Sequence, residues 1–128
     1  MDGRAQVPVI SYLKERFKAD YVDMVTEAGA NRVLALGEDT MAVESIQGRV
    51  RISVQKHRSV GVAVVGHHDC AGNPEPEIQQ NIDTMKAVHC VRTAFPGIPV
   101  IGLWLNECWN VIELPVAAAS NGIDSDEE

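Results

Sequence analysis

Gly61-Val62-Ala63-Val64-Val65-Gly66-His67-His68-Asp69-Cys70-Ala71-Gly72-Asn73-Pro74 is the stretch from which the fold of this chain is read. Residues 61–65 are small or apolar and read as a short buried strand. Gly66 breaks the run, and His67 and Cys70 follow with two residues between them. One imidazole and one thiolate, close together on a loop just past a strand end, suit a borderline-soft metal ion. Open α/β sheets place their sites at that end of their strands. The pair alone supplies only part of a four-coordinate site. A turn with a buried thiol and a surface imidazole accounts for the same residues. Gly66 and Gly72 read as turn glycines, and Asp69 as a residue that orients His67 or accepts hydrogen bonds from loop amides. His68 reads as a surface residue beside the site.

Downstream, Pro74 and Pro76 close the loop and open a helix, with Glu75 and Glu77 near its positive end. Ile78, Ile82, Met85, His89 and Arg92 form one row of that helix, and Val88, Val91 and Phe95 widen its apolar side. Pro96-Gly97 stops it. Pro99 to Leu105 reads as a buried strand, Asn106 to Asn110 as a turn, and Val111 to Leu114 as a short last strand. Upstream, residues 39–57 fit a helix through Val43, Ile46, Val50 and Val54, although Val50, Ile52 and Val54 also alternate as a strand would. Length favours the helix. Tyr21 to Val25 reads as a strand, Thr26 to Arg32 as a loop, and Val7-Pro8 as the start of a first helix whose apolar face holds Val9, Ile10, Leu13 and Phe17.

Alternating strands and helices predict an α/β fold, a central mostly parallel sheet flanked by helices. Its strands are expected near 20–25, 61–66 and 99–105, within one domain over residues 1–116. Residues 117–128 are small and then acidic, and read as a disordered tail. The formal net charge is -7, and four of the acids lie in the last five residues. No basic stripe is present, which argues against a nucleic-acid partner. No apolar run reaches about 18 residues, which argues against a membrane span. The opening residues carry no charged-then-apolar leader, so the expected location is cytoplasmic. Three cysteines in such a chain point to free thiols or metal ligands rather than to disulfides.

Met1-Asp2-Gly3-Arg4, taken with Gly66-His67-His68-Asp69-Cys70-Ala71-Gly72, resembles the two signature motifs of the β-class carbonic anhydrases, Cys-x-Asp-x-Arg and Gly-His-x-x-Cys-Gly. The likeness runs from Asp2 to about Leu114, specific at the motifs and loose between them. Ala71 stands where the family usually has Gly, and Thr26-Glu27 where it has Arg-Asn. The first-motif Cys would fall immediately before Met1, and the core strand leading into it is likewise missing from these residues.

The resemblance implies a zinc-dependent lyase, a carbonate dehydratase that hydrates carbon dioxide reversibly through zinc-bound hydroxide. It implies zinc held by His67 and Cys70, with Asp2 either swinging onto the metal in place of water or acting beside Arg4 in catalysis. It further implies a small-molecule substrate, carbon dioxide or bicarbonate, and a homodimer or higher homo-oligomer. The alternative is a non-catalytic carbonic-anhydrase-like protein, a metal-binding or oligomeric binding module. A frayed, charged terminus is the competing reading of Asp2 and Arg4. Cys90 reads as a small buried apolar residue, Cys108 as a weaker candidate thiolate, and His57 and His89 as helix residues without partners. Trp104 and Trp109 read as packing residues.

Overall fold

The structure, a computed structural model, describes residues 1–115. The tail expected at 117–128 therefore lies outside the described residues. Three strands, β1 (Val62–His67), β2 (Val100–Leu105) and β3 (Val111–Glu113), form a sheet in that spatial order. β1 and β2 run parallel, with Val62 opposite Val100 and His67 opposite Leu105. A parallel pair needs a long crossover, and helix α4 (Glu77–Ala94) supplies it. β3 turns back antiparallel, with Leu105 opposite Val111. β2 is buried along its whole length, as its unbroken apolar sequence requires.

Each face of the sheet is covered. Helices α2 (Ala30–Leu36), α3 (Thr40–Lys56) and α4 lie on one side, where Leu34, Ile46, Val50, Val64, Val88, Val91 and Val100 pack together. Helix α1 (Gly3–Phe17) covers the other, where Ala5 and Val9 meet Ile101, Leu103 and Leu105. The two-residue period of a strand sends Val64 to one face, and Ala63 and Val65 to the other.

Several elements differ from the sequence reading. α1 begins at Gly3, ahead of the expected start at Val7-Pro8, and carries Pro8 in its interior. Asp2 causes the earlier start: in extended conformation it accepts a hydrogen bond from the Arg4 amide, as an N-cap does. α2 is a helix inside the stretch read as a loop. Seven residues are too few to hold a helix by propensity, so its packing against α4 and α3 sustains it. α3 matches the expected helix, with Asp39 accepting from the Ala42 amide at its start.

The expected strand at Tyr21–Val25 is not one. Its residues pair with no strand, and Tyr21 is 89% exposed. A groove lined by Met24 and Val25 on one side and by Val62 to Val65 on the other separates this segment from the outer edge of β1. Without a neighbour at ladder distance, a β-competent sequence has nothing to pair with. Among the described residues, that outer edge of β1 is unpaired. Side chains hold the segment instead: the His57 ring bonds Asp23 at 2.6 Å, so His57 does have a partner. Hydrogen bonds from Ser53 and His57 keep the Asp23 carboxyl below the usual carboxylate range.

α4 buries Val88 and Val91, and its C-cap Phe95, as expected, but turns a different row inward over its first turns. Ile78 and Ile82 face solvent, while Gln80, Asp83 and Thr84 are buried and Ala87, Val88 and Val91 continue the buried row. The inward polar residues meet Gly66, where a side chain's Cβ would lie 2.9 Å from the Asn31 amide nitrogen and 3.0 Å from the Thr84 hydroxyl. A polar layer thus sits beneath the end of β1, where hydrogen bonds hold the first turns of α4, while Ala87, Val88 and Val91 pack in the apolar core further along.

Candidate active site

Because β1 and β2 are parallel and in register through His67 and Leu105, the loops that follow them leave the sheet at one end. The first, after His67 at the end of β1, carries His68, Asp69 and Cys70, and the second carries Asn106 to Asn110. The start of α1 brings Asp2 and Arg4 to the same end.

His67 is buried at the last position of β1. Its Nδ1 lies 2.8 Å from the His68 carbonyl oxygen. A carbonyl only accepts, so Nδ1 donates in this hydrogen bond, and Nε2 is the ring nitrogen left for a metal. That is the arrangement by which a histidine is oriented as a metal ligand. Cys70 is buried three residues further along, after Asp69 takes a left-handed conformation (φ 59°) that turns the chain. Asp2, His67 and Cys70 all line the same end of the groove beside β1, a space of about 420 Å³. A second cleft of about 880 Å³, around Phe17, Tyr21 and His57, is larger but includes none of these residues. The donor chemistry therefore selects the smaller space.

The Gln80 side chain fixes the loop from below. Its Nε2 donates to the carbonyls of His67 (2.8 Å) and Glu75 (3.2 Å), clamping both ends of the loop. Its Oε1 accepts from Asn31, which also donates to Thr84. Asn73, wholly buried, donates to Asn31 and to Asp83. Gly29 and Gly72 touch backbone to backbone, leaving no room for a Cβ on either, so the Ala28-Gly29 turn is packed against the motif loop.

Asp2 and Arg4 form a close pair rather than a frayed end. Arg4 donates from Nε and Nη2 to the two carboxylate oxygens of Asp2, at 3.1 and 2.7 Å, in the two-pronged geometry that suits a guanidinium. Those bonds, together with the Arg4 amide, hold the Asp2 carboxyl well below the usual carboxylate range, and the Arg4 guanidinium correspondingly above its own. Arg4 Nη2 also reaches the backbone carbonyl and the carboxylate of Asp69, each at 3.4 Å. Asp69 thus serves Arg4, where it was expected to orient His67 or to accept from loop amides.

Trp109 completes this end of the sheet, and sequence reasoning gave it only a packing role. Its indole lies over the Arg4 guanidinium, 4.6 Å from ring centroid to Cζ, and its ring centre is 5.9 Å from that of His67. The signal that would have singled it out is the parallel pairing of its preceding strand with β1. Trp109 sits at φ 60°, a conformation that costs a non-glycine residue about 1–2 kcal/mol. The turn that imposes it is built around Asn106, whose side chain accepts from the amides of Cys108 and Asn110 and whose carbonyl accepts from Trp109.

The remaining candidates lie apart. Cys108 is exposed in the turn, and Cys90 is half-buried on α4, accepting a hydrogen bond from Gln47 at 3.3 Å. Trp104 is buried in β2. Among the described residues, no group of three or more His, Cys, Asp or Glu side chains is placed to hold one metal ion. His67 and Cys70 fit zinc in kind, one nitrogen and one sulfur donor, and supply two of its four positions. Asp2, expected as a third ligand, has both oxygens occupied by Arg4.

A family model described as "Putative carbonic anhydrase" matches residues 1–114, and the chain belongs to that family. Comparison with curated proteins gives no match, and neither does comparison with solved structures. No helix among the described residues is long and apolar enough to cross a membrane.

Proposed function

We propose that this chain is a carbonic anhydrase of the β-class type, hydrating carbon dioxide reversibly with zinc held by His67 and Cys70. The observation that carries the reading is the Asp2–Arg4 pair, tied through Arg4 to Asp69 on the loop between those two ligands. Two segments 65 residues apart in sequence thereby meet at one strand end. Zinc, when bound, supplies the Lewis acidity that makes water acidic near neutral pH.

The chain's own residues do the rest. His67 presents Nε2, with its ring fixed by the His68 carbonyl. Cys70 offers a thiol screened from bulk water. Asp2 stays anionic because Arg4 bonds and pairs with it, and so remains a hydrogen-bond-accepting carboxylate near the two ligands. Arg4 holds Asp2 in place and ties it, through Asp69, to the loop that carries Cys70.

One observation favours a second reading, a non-catalytic member of the family. Both Asp2 oxygens are committed to Arg4, and the described residues offer no third ligand beside His67 and Cys70. The test measures zinc per chain and carbon dioxide hydration for the wild type, His67→Asn and Cys70→Ser. The catalytic reading expects near-stoichiometric zinc and measurable hydration in the wild type, with both lost in either variant. Stoichiometric zinc without hydration would establish the second reading, and a wild type that takes up no zinc would overturn the first.

A further inference from the structure

We infer that Trp109 is a positioning residue for the Asp2–Arg4 pair, acting through the face of its indole. This rests on the catalytic reading above only for the consequence it has on rate; the geometry stands without it.

Arg4 is exposed on one side, and a guanidinium in water has many orientations. Three contacts restrict it here. Asp2 holds one edge in the two-pronged pair, Asp69 holds Nη2 from the motif loop, and Trp109 covers the flat face at 4.6 Å. The first two contacts lie at the edge of the guanidinium, and bonds to an edge leave the plane free to tilt about them. A stack on its face removes that tilt, and a cation is drawn to the electron-rich face of an indole.

The backbone supports this assignment. Trp109 sits in a left-handed conformation that glycine adopts without strain, so the turn alone gives no reason for a tryptophan there. Its ring does pack beside the cluster of Ala5, Val9 and Leu105, and any large apolar side chain would serve that purpose. Only an aromatic one also serves Arg4. The turn itself is locked by Asn106, so the ring is delivered to one place.

The test uses Trp109→Leu and Trp109→Phe in the full chain. Both remove the indole and keep a large apolar side chain at the same strained backbone position, but only Phe keeps a ring face. The first readout is the Arg4 Hε resonance in metal-free protein, which a ring face above the guanidinium displaces. Trp109→Leu is expected to abolish that displacement and Trp109→Phe to retain most of it. The second readout is kinetic. Trp109→Leu is expected to lower kcat about tenfold or more with KM changed less than about twofold, as a small misplacement near the chemistry does. Trp109→Phe should stay within about threefold of wild type.

Leu and Phe variants that behave alike in both readouts would reduce Trp109 to a packing residue and overturn the inference. So would an Arg4 resonance unmoved by Trp109→Leu. If the wild type shows no hydration, the catalytic reading fails by itself, and the resonance alone then decides whether Trp109 positions Arg4.

Discussion

Replacing Gln80 by leucine removes the clamp under the motif loop, and the structure allows the cost to be worked out. The side chain is 1% exposed, and leucine nearly matches its volume, so little cavity is created. What is lost is hydrogen bonding. The His67 carbonyl, 2.8 Å from Gln80 Nε2, is left without that donor at a buried strand end. A buried polar group stripped of its partner costs about 1–3 kcal/mol. The Glu75 carbonyl, 3.2 Å away, belongs to an exposed residue that water reaches more easily, so its share is smaller. Asn31 keeps its bond to Thr84 at 3.1 Å and adds little. The expected loss is about 2–4 kcal/mol, against a whole-domain stability typically of about 5–15 kcal/mol. Urea unfolding of wild type and variant measures it, with the midpoint and slope compared so that a change of denatured state is not mistaken for a change of stability. Gln80→Glu keeps the shape and sets carboxyl oxygens against two carbonyls. Its destabilisation should grow as pH rises and the buried group ionises. A loss below about 1 kcal/mol in Gln80→Leu would refute the idea that this side chain holds the loop.

Gly66→Ala places a methyl within about 3 Å of Asn31, Thr84 and Gln80, and overpacking of this kind should cost about 1–3 kcal/mol by thermal or urea unfolding. Asp39→Ala removes the bond to the Ala42 amide that caps α3, with an expected loss of about 1 kcal/mol; a helical signal and midpoint equal to wild type would count against the cap. Glu113 accepts from Tyr12 at 2.6 Å and Arg16 at 2.9 Å, tying β3 to α1. Arg16 and then Tyr12 lower its pKa, while Glu113 raises that of Tyr12. The Glu113 contribution is therefore present above the ordinary glutamate range, near about pH 4.3, and lost as pH falls through the lower folded value. The Tyr12 contribution is present below about pH 10 and lost as pH rises through the raised folded value. Glu113→Gln should flatten both flanks of the stability–pH profile. An unchanged acid flank would show that Glu113 gains nothing from its pairing.

Residues 61–74 were legible by themselves because each signal in them is local. A run of small and apolar residues needs burial, and two soft donors close behind it advertise chemistry wherever they lie; Gly66, read as the break, instead pairs with Trp104 inside β1, which runs on to His67. The parallel pairing of β1 with β2 followed too, since the helix between them leaves a parallel crossover as the economical connection. Tyr21–Val25 shows where local reasoning stops. Its residues favour a strand, but a strand exists only with a neighbour to pair with, and the neighbouring edge lies across a groove. The inward face of α4 was hidden for a related reason. Ile78 and Ile82 look like core residues by type, yet Gln80, Asp83 and Thr84 are buried because Asn31, Asn73 and the end of β1 present hydrogen-bonding groups there. Asp2, Arg4, Asp69 and Trp109 come from three distant parts of the chain. Sequence named the first two through a motif, but the partnership of Arg4 with Asp69 and Trp109 exists only because parallel strands deliver their loops to one end. Side-chain chemistry is written residue by residue, whereas the partners that orient it are chosen by which segments the folded chain brings within a few ångströms.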